Sequence, residues 1–225
     1  MFNSRFQIVV LLIFGATLAC QAGDVVDRIV AMVNNHPILQ SDWDEQVAYE
    51  ALAEGRPLTS VTEEQRKAAL DRLIDRELVN EQAEHAALPQ TTPEEVDRRI
   101  EKIRKLYASP EDWQKALKKY DLTEKELRAE ASAELNEMHA VDAHLRPGIQ
   151  VDSRSVESYY REKLLPELRQ SGAREVPLEQ VAGQIRELLA QQRMNDLLAL
   201  WIRSLRSESD IRVPSTPSGR GGGGK

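Results

Sequence analysis

Glu81 and His85 stand four residues apart in a stretch of helical spacing. Both would face one side of a helix, where an imidazole and a carboxylate can ligate a metal ion together. The simpler reading is a polar pair on a helix surface. His139 and His144 are five apart and do not share a helix face, and His36 lies among turn residues. Cys20 is the single cysteine, so neither a disulfide within the chain nor a thiolate zinc site is available. The chain has no glycine-rich phosphate loop, nucleophile elbow or His-Glu-x-x-His sequence. Paired acids such as Glu94-Glu95 are explained by the attraction of a helix N-terminus for negative charge. These readings predict no catalytic residue, no metal, no nucleotide and no cofactor.

Binding chemistry is the alternative. Tyr107, Trp113, Tyr120 and Met138 are amphipathic or flexible side chains of the kind used at adaptable surfaces, as are Tyr159 and Tyr160. Core packing would give the same periodic pattern. With 30 Lys+Arg against 37 Asp+Glu, the net charge of −7 leaves no cationic excess to neutralise phosphates, so a nucleic-acid partner is not expected.

The elements that must position these residues are mainly helical. Thr62-Glu63-Glu64-Gln65, Thr92-Pro93-Glu94-Glu95, Ser109-Pro110-Glu111-Asp112 and Thr123-Glu124-Lys125-Glu126 each read as a helix start. Leu70, Leu73, Ile74 and Leu78 form one apolar stripe, and Leu127, Ala131, Leu135, Met138 and Val141 form another. The spacing predicts helices from Thr62 to about Ala87 and from Thr123 to about Leu145. Further helices are predicted from Asp152 to Leu168 and from Pro177 to about Arg206. Before them, Val25–Val33 and Ile38-Leu39 flank the turn residues Asn34-Asn35-His36-Pro37, a strand–turn–strand pattern. Ser41 is expected to cap the helix that follows. The alternating Asp210–Val213 is a short strand that needs a partner, and the N-terminal strands are the candidates. The predicted fold is therefore mainly α, with a small β element formed by N-terminal strands and a C-terminal strand.

The ends differ in composition from the rest. Met1–Ala22 has one charge, Arg5, and an apolar run Ile8–Phe14 followed by small residues, the pattern of a secretory signal peptide. Cleavage after Ala22 releases a soluble exported protein; cleavage after Ala19 leaves Cys20 first, where a lipid anchor is the alternative. Residues 214–225 read as a disordered Gly-rich tail. Between them, 23–213 is one helical domain with an N-terminal part, 23–146, and C-terminal helices, 151–213.

Val26–Asn35 with Pro37–Asp42 resembles the opening of SurA-like periplasmic chaperones and parvulin-type foldases. Leu70–Leu78 looks like the second helix of that family. Val151–Tyr160 is similar to the helix that precedes its isomerase domain. Pro177 through Trp201, with Ile211–Val213, looks like its C-terminal helix and closing strand. The resemblance implies a helical chaperone core with a groove for unfolded polypeptide clients, outer-membrane proteins among them. A parvulin domain would have to lie between Leu168 and Pro177, and that interval is far shorter than the roughly 50 residues of the smallest domains. The expected function is an ATP-independent periplasmic holdase, not an enzyme. The alternatives are an assembly module dedicated to one envelope partner, or a prolyl isomerase by family label.

Overall fold

The structure is a computed structural model that describes residues 27–84, 88 and 90–214. The expected signal peptide, His85 and nearly all of the Gly-rich tail lie outside them.

β1 (Ile29–Val33) and β2 (His36–Leu39) form an antiparallel hairpin, with Val33 paired to His36 across the two-residue turn Asn34-Asn35. Asn34 has φ of 51°, a left-handed conformation that asparagine tolerates better than most residues. Pro37 lies inside β2, which is possible because β2 is an edge strand and needs no second ladder. β3 (Ile211–Arg212) adds antiparallel to the other edge of β1, giving the order β2-β1-β3. The expected pairing of the two distant chain segments is thus present.

α1 (Gln40–Ala53) follows β2 directly. Its start differs from expectation. Leu39 is the N-cap residue, and its N–H is taken by the Asp42 carboxylate at 2.8 Å. Ser41 already lies in the helix and donates its hydroxyl to Asp27. α2 (Glu63–Glu84), α3 (Pro93–Arg104), α4 (Pro110–Lys119) and α5 (Glu124–Leu145) begin where the capping sequences predict. In the boxes of α2, α3 and α5 the threonine hydroxyl accepts from an N–H one turn on, and the Gln65, Glu95 or Glu126 side chain accepts the threonine N–H.

The predicted helix from Asp152 to Leu168 is modified. α6 (Ser153–Tyr159) widens into a π turn at Tyr160–Leu164, then continues as α7 (Leu165–Ser171). Pro166 supplies a reason, since it has no N–H to donate and its ring would clash with the carbonyl four residues back. Gly172, at φ of 71°, ends α7 in the left-handed conformation that glycine adopts freely. α8 (Leu178–Glu208) is a 31-residue helix that returns the chain to the sheet.

Two cores result. Leu52, Ile103, Trp113, Leu117 and Leu127 bring α1, α3, α4 and the first half of α5 together. Val33, Ile74, Leu78, Ala140 and Leu205 join the hairpin, α2, the second half of α5 and the end of α8. The stripe read on α2 is the face that helix buries; on α5 the stripe is buried at Leu127 and Ala131 but leaves Met138 exposed. α6 packs on α8, where Val156 and Ile185 are buried.

Candidate polypeptide-binding surface

α3 and α5 lie side by side and leave an open groove of about 1070 Å³ between them. Its apolar lining is Ile100, Leu135 and Met138; the rest is six cationic and five anionic side chains. Many of these charges pair across the groove. Arg99 donates to both oxygens of Glu134 at 2.8 and 3.0 Å, and Arg128 reaches Asp97 at 2.6 Å. Long cationic side chains carry methylene stems that can line apolar surface while their heads stay in water. Such a groove offers alternating charge and short apolar steps, chemistry suited to an extended chain of mixed sequence.

The Arg99–Glu134 pair is also a wall of a second, partly open cavity of about 400 Å³, lined by α1, α2, α3 and α5. Glu134 accepts the Tyr49 hydroxyl as well. Burial first, and the Glu134 carboxylate second, push the Tyr49 hydroxyl well above the usual phenol range. Deeper in, Arg76 donates to Gln46 at 2.9 Å, Glu130 at 3.0 Å and Glu137 at 3.3 Å. Burial works against the Arg76 charge, but Glu130 and Glu137 more than offset it and the guanidinium stays cationic. Burial also holds the Glu137 carboxyl above its usual range despite the attraction of Arg76.

A third, apolar niche of about 170 Å³ lies where α8 meets α2 and α5. Val79, Ala83, Leu88, Ala140 and Ala143 line it, and Trp201 closes one side. The Trp201 ring stacks on His144, with centroids 4.1 Å apart and planes 15° from parallel. Its volume suits one aliphatic side chain.

The four residues expected to line a single groove do not do so. Trp113 is 1 % exposed and Tyr120 6 %, both inside the first core. Tyr107 meets Trp113 edge to face at 5.5 Å. The Tyr107 and Tyr120 hydroxyls donate to the carbonyls of Leu52 and Arg56 at 2.8 and 2.6 Å, tying down the end of α1. Trp113 on α4, with Tyr107 and Tyr120 flanking that helix, packs into the first core. Met138 stands apart on α5, lines the groove and is 55 % exposed. Tyr160 donates to the carbonyl of Val176 and anchors the α7–α8 connection.

Sequence reasoning missed the charged network. Two signals point to it in retrospect. Arg76 interrupts the apolar series Leu73–Val79 at three-residue steps, and Glu130, Glu134 and Glu137 form an acidic stripe beside the apolar one on α5. No pattern in the sequence singles out the niche, whose walls come from three distant helices.

A small three-stranded sheet joins the N-terminal hairpin to the chain beyond α8, on a mainly helical body with an open groove between α3 and α5. The chain belongs to the SurA-like N-terminal domain family, whose model matches residues 5–140. The match ends within α5, so α6 to α8 and β3 lie beyond it. No curated protein matches the chain. No helix among the described residues is long and apolar enough to cross a membrane.

Proposed function

We propose that this protein is an ATP-independent holdase that keeps unfolded polypeptides from aggregating outside the cytoplasm, outer-membrane proteins among its clients. One observation carries the reading: a chain of the SurA-like N-terminal domain family has an open, charge-alternating groove between α3 and α5 with Met138 exposed along it. Shallow, mixed contacts of this kind release a client without an energy source, since each exposed charge pair contributes no more than about 1 kcal/mol. Met1–Ala22 serves as the export signal in this reading. The protein does not act as a prolyl isomerase.

The test is dilution of a urea-unfolded outer-membrane protein into buffer without nucleotide, with aggregation followed by light scattering. The wild-type chain should suppress scattering, and Met138→Asp should suppress it less while unfolding at the same temperature. No suppression at a tenfold excess of chaperone overturns the reading. Binding of one folded envelope protein, with no affinity for unfolded chains, favours the dedicated assembly module. A proline tetrapeptide assay should show no acceleration of cis–trans exchange.

A further inference from the structure

His36, Glu77 and Glu81 converge at the edge of the hairpin, away from the groove. One ligand atom from each lies within 4.8 Å of the other two. His36 Nδ1 is 2.5 Å from Glu77 Oε1 and 3.5 Å from Glu81 Oε1. Glu77 and Glu81 are four apart on α2 and so share the face that meets β2. Both side chains are mostly covered, at 28 % and 21 % exposed.

The charge balance of this cluster differs from that of the acids that precede it on α2. Earlier on α2, Asp71 and Asp75 are paired with Arg206, and Arg76 has two carboxylates of its own. Among the described residues, Glu77 and Glu81 pair only with His36. Two carboxylates thus share one imidazole, a group that is cationic only when protonated.

We propose that His36, Glu77 and Glu81 bind a divalent first-row transition metal of the zinc type. An imidazole nitrogen with two carboxylate oxygens suits zinc, cobalt or manganese, whereas magnesium and calcium prefer oxygen alone. Zinc holds such ligands at about 2.0–2.2 Å, which places neighbouring ligand atoms roughly 3.4 Å apart in a tetrahedron. The His36–Glu81 separation already meets that spacing. The His36–Glu77 separation has to open by about 1 Å, within reach of a rotation of the half-exposed His36 ring.

The surroundings hold the ligands in place. Asn34 Nδ2 donates to Glu81 Oε2 at 2.6 Å, leaving Oε1 turned to His36. A hydrogen bond of this kind to the second oxygen fixes a ligating carboxylate. Asn34 is itself bonded to Asp210. A metal here would therefore tie β2 to α2 at the point where β3 is also anchored. Three protein ligands leave a position open for water or for a side chain of a partner. This site is independent of polypeptide binding in the groove.

The test is calorimetric titration of the full chain with ZnCl₂ and, separately, MgCl₂, alongside thermal unfolding. The wild type should bind one zinc ion saturably, prefer it to magnesium, and unfold at a higher temperature when loaded. His36→Ala and Glu77→Gln should each weaken zinc by at least about tenfold, since losing even a hydrogen-bond partner of a ligand has that effect, and both should lose the thermal shift. His139→Ala should bind as wild type does. Because Glu77→Gln keeps the size and shape of the side chain, its metal-free unfolding temperature should stay close to that of the wild type, so lost binding is not lost folding. The proposal fails if no saturable zinc binding occurs, if both ligand variants bind as tightly as the wild type, or if magnesium binds equally well.

Discussion

Asn34 and Asp210, 176 residues apart, hold each other by two hydrogen bonds: the Asn34 N–H donates to the Asp210 carbonyl at 2.8 Å, and the Asp210 N–H donates to Asn34 Oδ1 at 2.9 Å. The left-handed turn of the hairpin is thereby the clamp for the end of α8. Removing residues from Ser209 onward should lower the unfolding temperature substantially, whereas removing only residues from Ser215 onward should not. Equal midpoints for the two truncations would show that β3 contributes nothing.

The same clamp separates two substitutions. Asn34→Gly loses the side-chain bonds but keeps an easy left-handed backbone, while Asn34→Ala loses the bonds and strains the turn. Alanine should therefore be the more destabilising by about 1 kcal/mol. Urea unfolding of both variants measures the difference, and equal stabilities would contradict the role of the backbone.

Trp113 and Met138 should respond in opposite ways. Trp113→Ala empties a fully enclosed site and should cost about 3–5 kcal/mol. Met138→Ala on the groove surface should change stability by less than about 0.5 kcal/mol, with its effect seen in client binding. A small loss for Trp113→Ala would mean that the first core is open in solution.

Arg76 is the cation on which two carboxylates depend. Arg76→Ala leaves Glu130 and Glu137 without it and should cost about 3–5 kcal/mol, read as a lower urea midpoint. An unchanged midpoint would show that solvent already screens the network.

Glu137 makes stability depend on pH in a direction that can be checked. Burial, acting against the attraction of Arg76, raises its carboxyl above the usual value of 4.5. Below about pH 4.5 the folded and unfolded chains both hold this proton, and the contribution of the protonated group is fully present. As pH rises through the folded value the native state must ionise a buried group, and that contribution is lost. The stability of wild type minus Glu137→Gln should fall as pH rises above the usual carboxyl value of 4.5. A rise over the same range would mean that the attraction of Arg76 outweighs burial.

Local signals in the sequence reached the local structure. The threonines at 62, 92 and 123 mark helix starts because a hydroxyl and a carboxylate or amide three residues on can satisfy orphan N–H groups only in that geometry. The stripes through Leu73 and Leu127 reached the cores for a similar reason, since burial selects one face. The pairing of β3 was legible because a lone strand requires a partner. What the sequence conceals are coincidences between distant segments. His36 reads as a turn residue until α2 places Glu77 and Glu81 beside it, and Trp113 reads as a groove residue because an aromatic on a short amphipathic helix looks the same on either side of a wall. Ser41 misled because the Asp42 carboxylate takes the Leu39 N–H, and the helix starts two residues earlier, with Leu39 as its cap.

The interleaving of the two cores sets an order of assembly. The first draws on Ala48 to Ala131, a continuous span that is complete once α5 has begun. The second needs Val30 and Val33 from the start of the described chain and Leu205 and Ile211 from near its end. A polypeptide threaded through a pore can build the first core while its last third is still in transit, but β1 must wait with one edge bare until β3 arrives. Until then the molecule that guards unfolded chains in the proposed function carries an unpaired strand edge of its own, the feature most prone to mispairing, and passage of the final segment is the event that closes it.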